Sequence, residues 1–251
     1  MKTITPIQSS DLEFDNGTFD AAAFTAQTLA SWQSLAAVID HTLLKPEATR
    51  SQVETLCAEA ARYRFACAMV NPVWAATAVN LLSGTGVPVG VVIGFPFGAS
   101  LVSTLRQEAA ALTRLGAKEL DMVIPLGLLK SGNHPAVQHT IHAAASVTHH
   151  HGALLKVILE TSLLTMEEKL RASEIAIQAG ADFIKTSTGF STGGATVADV
   201  ALMRGVAGAR CGVKASGGVR TLADVKAMLE AGANRIGASA SVAIVRELGA
   251  V

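Results

Sequence analysis

The chain carries no surplus of either charge. Twenty Lys and Arg balance twenty Asp and Glu across 251 residues, and charged residues make up only 16% of the whole. Without a basic or acidic excess there is no electrostatic footprint for nucleic acid or for an anionic membrane surface. Cysteine is scarce as well. Cys57, Cys67 and Cys211 are odd in number and widely spaced, which argues against a disulfide framework and suits reduced thiols in a cytosolic protein. The longest apolar run, VPVGVVIGFPFGASLV, is broken by glycine and proline and is too short to span a bilayer comfortably. The first residues, MKTITPIQSSDLEFDNGTF, are polar and acidic where a signal peptide would need an apolar stretch. A soluble, cytoplasmic protein is expected.

What is present is apolar and periodic. Half of the residues are hydrophobic, ample for a sizeable core. Short runs rich in Val and Ile (AAVIDHTLLK, FACAMVN, PVGVVIG, ELDMVIP, LLKVILET, DFIKTST, GVKASG and NRIGAS) alternate with longer, alanine-rich amphipathic segments. Helix signals sit between the runs. Thr49 with Gln52 and Thr165 with Glu168 have capping-box spacing, and Thr196 and Thr221 each precede an Asp by three residues. The junctions RLGAKEL, QAGADFI and EAGANRI each place a glycine where a helix should stop and a strand begin.

Eight such units in one chain are the count of a (β/α)8 TIM barrel, in the α/β class. A doubly wound open sheet is the alternative, but no G-x-G-x-x-G follows the first strand and no linker marks a second domain. Residues 36–251 are assigned to the barrel and 1–35 to an N-terminal extension. Within that extension FDAAAFTAQTLASWQSL is expected to form one extra helix, with the residues before it free to be disordered.

In such a barrel, chemistry gathers at the carboxyl ends of the strands. Period-two alternation puts Asp40 and Thr42 on one face of the first strand, Asp121 on the fourth, and Lys156 and Glu160 on the fifth. Lys185 and Ser187 share a face of the sixth, Lys214 and Ser216 of the seventh. Lys185 and Lys214 hold corresponding places in consecutive strands about 4.8 Å apart, so their amines could approach within ~5 Å. At an effective dielectric near 20, two ammonium groups at that distance repel by roughly 3 kcal/mol, enough to lower one pKa by about two units, and partial burial would lower it further. Lys214 is thus expected to activate Lys185 as a neutral nucleophile. The plainer reading is that each lysine merely pairs with a carboxylate, such as Lys185 with Asp121. Asp121 is placed to shuttle protons. Asp40 either holds this network in place or joins the chemistry.

The loops after the last two strands, SGGVRT and GASAS, carry paired glycines and small residues, and the helix beginning near Thr221 points its positive end the same way. Gly217, Gly218, Gly237 and Ser239 are therefore candidate phosphate ligands, with Gly189 in TSTGF beside them. No metal or cofactor is expected, since no set of His and carboxylates stands at ligand spacing on the strand ends. His149–His151 read as exposed imidazoles at a helix end, and Cys67 as a buried thiol rather than a nucleophile. GFPFG supplies either an apolar wall or a packed loop.

Taken together, DHTLLKPEAT, NPVW, GFPFG, ELDMVIPLGLLKSG, LKVILET, ADFIKTSTGFSTGGAT, VKASGGVRT and RIGAS resemble the deoxyribose-phosphate aldolase family. The likeness runs from about Val38 to Ser241 in the right order, and IKTSTGF with VKASGGVRT is highly specific. It implies a metal-free class I aldolase that reversibly cleaves 2-deoxy-D-ribose 5-phosphate to acetaldehyde and D-glyceraldehyde 3-phosphate. It further implies that Lys185 forms the Schiff base, Lys214 perturbs it, and Asp121 donates and accepts the proton. Some family members end in a flexible tail with a tyrosine that assists proton transfer. The single tyrosine here is Tyr63, in a helix, so either water does that work or the step is slower. Two other readings remain: a Schiff-base aldolase or transaldolase on another phosphosugar, and a non-catalytic phosphosugar-binding barrel. Apolar helix faces make a homodimer reasonable.

Overall fold

The computed structural model describes residues 18–251. The expectation of a disorder-prone segment ahead of the extra helix falls mostly on residues 1–17, outside the described residues. Two short helices come first, α1 (Ala21–Thr28) and α2 (Trp32–Ala36), where one was expected. Ser31 causes the break: its hydroxyl accepts from the Ser34 N–H at 3.1 Å and caps a new helix. The Arg204 guanidinium lies 4.0 Å from the ring centroid of Phe19, just ahead of α1.

Eight parallel strands then close into a barrel in which each pairs with the next and the last with the first. They are β1 (Ile39–Leu43), β2 (Cys67–Val70), β3 (Val89–Ile93), β4 (Glu119–Val123), β5 (Leu154–Ile158), β6 (Phe183–Lys185), β7 (Gly212–Ser216) and β8 (Arg235–Ala238). The covering helices are α3 (Arg50–Tyr63), α4 (Ala75–Leu82), α5 (Val102–Arg114), α6 (Leu126–Lys130) and α7 (His134–His150). α8 (Met166–Gln178), α9 (Val197–Ala207), α10 (Leu222–Glu230) and α11 (Ser241–Glu247) complete the ring.

The local signals act as the sequence suggests. Thr49 with Gln52, Thr165 with Glu168 and Thr221 with Asp224 all form reciprocal capping boxes. Gly116, Gly180 and Gly232, at the three repeated junctions, adopt φ of 110°, 96° and 108°, a conformation that costs a side-chain-bearing residue dearly. A stop signal at these places turns each helix straight into β4, β6 and β8.

Alternation along the strands builds two separate cores. Ile39, Leu120, Leu155, Val157, Ile184, Val213 and Ile236 point outward and are buried under the helices in one large apolar cluster. Inside the barrel, a smaller apolar cluster of Leu44, Cys67, Met69 and Val92 fills the β1–β3 side, with Phe95 packed on it. On β1 and β4 to β8 the interior instead carries charge, from Asp40, Glu119, Asp121, Lys156, Lys185, Lys214 and Arg235. Outward packing holds the barrel closed, which lets the inward positions carry groups that a core would otherwise reject.

Candidate active site

The charged half of the interior converges on Asp121. Its Oδ1 accepts from Lys156 Nζ at 2.8 Å, and its Oδ2 accepts from both Lys185 Nζ at 2.8 Å and Lys214 Nζ at 2.7 Å. Strand register explains the meeting. Asp121 pairs with Lys156 across β4 and β5, and Lys185 with Lys214 across β6 and β7. Because both lysines reach one oxygen, their nitrogens can be no farther apart than the sum of those two bonds. Lys214 also donates to Asp40 Oδ2.

Two members were not singled out in the sequence. Arg235 at the start of β8 donates through Nε to Asp40 Oδ1 at 2.6 Å and through Nη2 to both oxygens of Glu119 at 2.6 and 2.7 Å. Glu119, at the start of β4, also pairs with Lys156 at 2.6 Å. Both are revealed by the same two-residue period, since Glu119 stands two before Asp121. They sit at the amino-terminal ends of their strands, away from where barrel chemistry is sought.

Burial and charge act against each other here. Burial pushes the Asp121 carboxyl up, but Lys156, Lys185 and Lys214 outweigh it and hold the group well below the usual carboxylate range. For Asp40 burial is again the largest influence, and Arg235, Lys214 and Lys156 together overcome it, so this carboxyl also stays ionised. Burial would neutralise Lys156, yet Asp121, Glu119 and Asp40 around it raise its pKa well above the ordinary value. Lys185 goes the other way. Its pKa falls to about 8, first because it is buried and then because of Lys214, with Asp121 opposing. This corrects the expectation that the neighbouring ammonium is the main source of activation: burial comes first, and Lys214 adds to it. Lys185 does pair with Asp121, as the plainer reading had it, without losing its lowered pKa.

The other candidates divide. Glu160 does not lie on the inward face of β5. It follows the strand at φ 56°, buried, and its carboxylate accepts from the Thr188 hydroxyl and N–H. The Ser187 hydroxyl is buried and has no hydrogen-bond partner among the described residues, whereas the Ser216 hydroxyl donates to the Ser187 carbonyl at 2.7 Å. The Thr42 hydroxyl donates to the Asp40 carbonyl at 2.8 Å. Cys67 is a buried thiol whose pKa is raised by burial, then by Glu119 and Asp40. It lies with those two carboxylates within 4.8 Å, a grouping able in principle to hold a metal, but lysine and arginine already engage the carboxylate oxygens. His149 pairs with Asp182 at 2.8 Å on the surface. Phe95 of GFPFG meets Phe190 edge-on at 5.4 Å, so this loop does line the mouth with apolar surface. Tyr63 packs in the outer core against Trp32 and Phe65.

Among the phosphate candidates, Gly189, Gly217 and Gly218 lie in the loops after β6 and β7 with φ of 85°, 87° and 83°. The two loops touch, the Ala195 N–H donating to the Gly217 carbonyl at 2.9 Å. Ser239 is exposed just beyond β8. Gly237 differs from expectation, for it lies within β8 rather than in a loop. A Cβ there would stand 3.0 Å from Lys214 Cε, so this glycine makes room for the lysine. The start of α10 also differs. Asp224 already takes the N–H groups of Arg220 and Thr221 at 2.9 and 3.0 Å, and Glu247 takes that of Leu222 at 3.2 Å. Its positive end is thus neutralised by the chain's own carboxylates.

Residues 34–247 match the family model described as DeoC/LacD family aldolase. The chain belongs to the DeoC/LacD aldolases. It is 54% identical over 216 residues to the deoxyribose-phosphate aldolase of Lysinibacillus sphaericus, covering 86% of this chain and 96% of that one. It is likewise 54% identical over 182 residues to the enzyme of that name from a Geobacillus species, covering 72% and 81%. Among solved structures, a putative deoxyribose-phosphate aldolase from Coccidioides immitis superimposes with a TM-score of 0.83 at 37% identity, over 97% of this chain and 99% of that one. The Aeropyrum pernix deoxyribose phosphate aldolase, described as a unique tetramer, gives 0.84 at 35% identity, over 91% and 96%. The aldolase barrel and its charged interior are therefore seen together in one chain.

Proposed function

We propose that this DeoC/LacD aldolase reversibly cleaves 2-deoxy-D-ribose 5-phosphate to acetaldehyde and D-glyceraldehyde 3-phosphate through a Schiff base on Lys185. The observation that carries the assignment of the nucleophile is a buried lysine with its pKa lowered to about 8, sharing one carboxylate oxygen with a second lysine. An amine with that pKa is neutral in an appreciable fraction of molecules at physiological pH.

The neutral Lys185 amine adds to the open-chain aldehyde carbon C1, giving a carbinolamine. Asp121, within reach of the same nitrogen, relays the protons that let hydroxide leave as water. The product is a protonated imine, whose positive nitrogen draws electrons. Loss of the C3 hydroxyl proton to Asp121 through water lets the C2–C3 pair flow into the imine. Glyceraldehyde 3-phosphate leaves and an enamine remains. Proton return to C2 and hydrolysis of the imine release acetaldehyde and restore the lysine. Lys214 donates to Asp121 beside these steps, and Asp40 and Lys156 hold Lys214 and Asp121 in place.

The phosphate is placed on the backbone N–H groups of Gly189, Gly217, Gly218 and Ser239, remote from the bond that breaks, where binding energy can orient the sugar. The apolar interior side, Leu44, Met69 and Val92, faces the two-carbon fragment. No helix among the described residues is long and apolar enough to cross a membrane, and a phosphosugar substrate fits a cytoplasmic protein. Leu128, Leu163, Met166 and Leu170 leave apolar surface around α6 and α8 that suits a homodimer, which light scattering would report.

The test is reduction with borohydride in the presence of deoxyribose phosphate. A stable adduct on the peptide bearing Lys185, absent in Lys185→Ala, is expected. Unmodified protein, or an adduct that persists in the variant, would count against the assignment. Comparing acetaldehyde release from deoxyribose phosphate with turnover of fructose phosphates distinguishes this reading from an aldolase for another sugar, and from a barrel that only binds.

A further inference from the structure

The charges around Lys185 do not cancel. Asp40, Glu119 and Asp121 bring three negative charges, whereas Lys156, Lys185, Lys214 and Arg235 bring four positive ones when all are protonated. None of the seven is more than 7% exposed, so neither water nor salt screens the surplus effectively. One proton too many is held in a buried cluster.

Geometry decides which group gives it up. Lys156 touches three carboxylates, Glu119 at 2.6 Å, Asp121 at 2.8 Å and Asp40 at 3.6 Å. Arg235 holds Asp40 and both oxygens of Glu119. Lys214 reaches Asp40 and Asp121. Among the described residues Lys185 has a single carboxylate contact, at 2.8 Å, and shares that oxygen with Lys214. It is the least compensated cation and the first to lose its proton as pH rises. The other interior strands add no charge. Cys67 on β2 stays a neutral thiol, Val92 stands for β3, and Glu160 beyond β5 is turned to Thr188.

We infer that Arg235 and Glu119, at the amino-terminal end of the barrel and away from the reacting atoms, are positioning residues that set the protonation of Lys185 through the net charge of this buried cluster. Arg235 supplies the surplus positive charge, and Glu119 limits it. This rests on Lys185 being the nucleophile.

The prediction has a sign that simple structural support would not give. Arg235→Gln removes the surplus, so Lys185 should keep its proton to higher pH. Glu119→Gln enlarges the surplus, so Lys185 should lose it at lower pH. Each midpoint should move by about one pH unit, the scale of one charge changed inside a poorly screened cluster. The double variant restores the original balance and should return the midpoint toward that of the unmodified protein. Arg235→Lys keeps the charge and should leave it in place.

The experiment is the rate of borohydride trapping of acetaldehyde on Lys185, mapped by mass, as a function of pH for each variant, with circular dichroism confirming the fold. Opposite shifts, reversed in the double variant, support the inference. Shifts in the same direction, or none, overturn it. If one single variant does not fold, the other set against Arg235→Lys decides. Failure to trap any adduct on Lys185 in the unmodified protein would instead sink the nucleophile assignment itself.

Discussion

Replacing Lys214 by methionine removes a positive charge from the most crowded point of the site while keeping a side chain of similar length. The magnitude follows from the geometry. Lys214 and Lys185 both donate to Asp121 Oδ2, at 2.7 and 2.8 Å, so their nitrogens lie about as close as adjacent ladder positions allow. Two unit charges about 5 Å apart in an effective dielectric near 20 repel by roughly 3 kcal/mol, or about two pKa units. The burial of Lys185 remains in the variant, with Asp121 still opposing it, so its pKa should climb from about 8 to about 10, short of that of a free lysine. At pH 7.5 the neutral fraction would fall from about a quarter to about 0.3%, an ~80-fold loss of nucleophile. Trapping of acetaldehyde with borohydride reads this fraction without involving the phosphate loops. The expected result is an ~80-fold slower trapping near neutral pH that recovers as pH approaches 10. A correctly folded variant with an unchanged pH midpoint would refute the idea that Lys214 tunes Lys185 at all.

Other expectations follow from the same geometry. Gly217→Ala forces a side chain onto a backbone at φ 87° with the Gly194 Cα 3.1 Å from the new Cβ. It should raise KM for deoxyribose phosphate about tenfold while leaving unphosphorylated deoxyribose little changed, as steady-state kinetics with both sugars would show. Lys185→Met should stabilise the fold near neutral pH. The amine's folded pKa lies below the ordinary value of 10.5, so folding disfavours its proton, and the destabilisation is full below about 8 and vanishes as pH rises toward 10.5. Thermal melts should show a gain of up to roughly 3 kcal/mol at pH 7 that shrinks on going to pH 10. Activity should survive prolonged treatment with a chelator, because the one compact donor group among the described residues, Asp40, Cys67 and Glu119, is already engaged by Lys156, Lys214 and Arg235. Loss of activity restored by zinc would contradict this.

The barrel was legible because its signals are local and repeated. A capping threonine opens α3, α8, α9 and α10, and a left-handed glycine follows α5, α8 and α10, so these units announce their own starts or ends. Lys185, Lys214 and Asp121 were legible because a charged residue stands out in an apolar run and because consecutive parallel strands keep register. Three things were hidden for physical reasons. Arg235 and Glu119 begin their strands, where a charge reads as the polar end of a turn, although β8 and β4 carry both side chains inward. The dominance of burial over Lys214 in lowering the Lys185 pKa depends on how completely the helices seal the barrel, which no pattern of residues measures. The start of α10 looked like an anion site because its threonine and glycines suggest free N–H groups. Asp224 and Glu247 had already taken those donors, the latter from a helix 25 residues away in sequence. The extra N-terminal helix split in two because one serine can cap as well as continue a helix.

Everything chemical here depends on an amine that loses its proton two or more units early. The most direct measurement is the titration of the lysine side chains by NMR, with the resonance of Lys185 assigned through its loss in Lys185→Met. A midpoint near 8 for that one lysine is expected. A midpoint near 10.4, the value of a lysine free in solution, would contradict it.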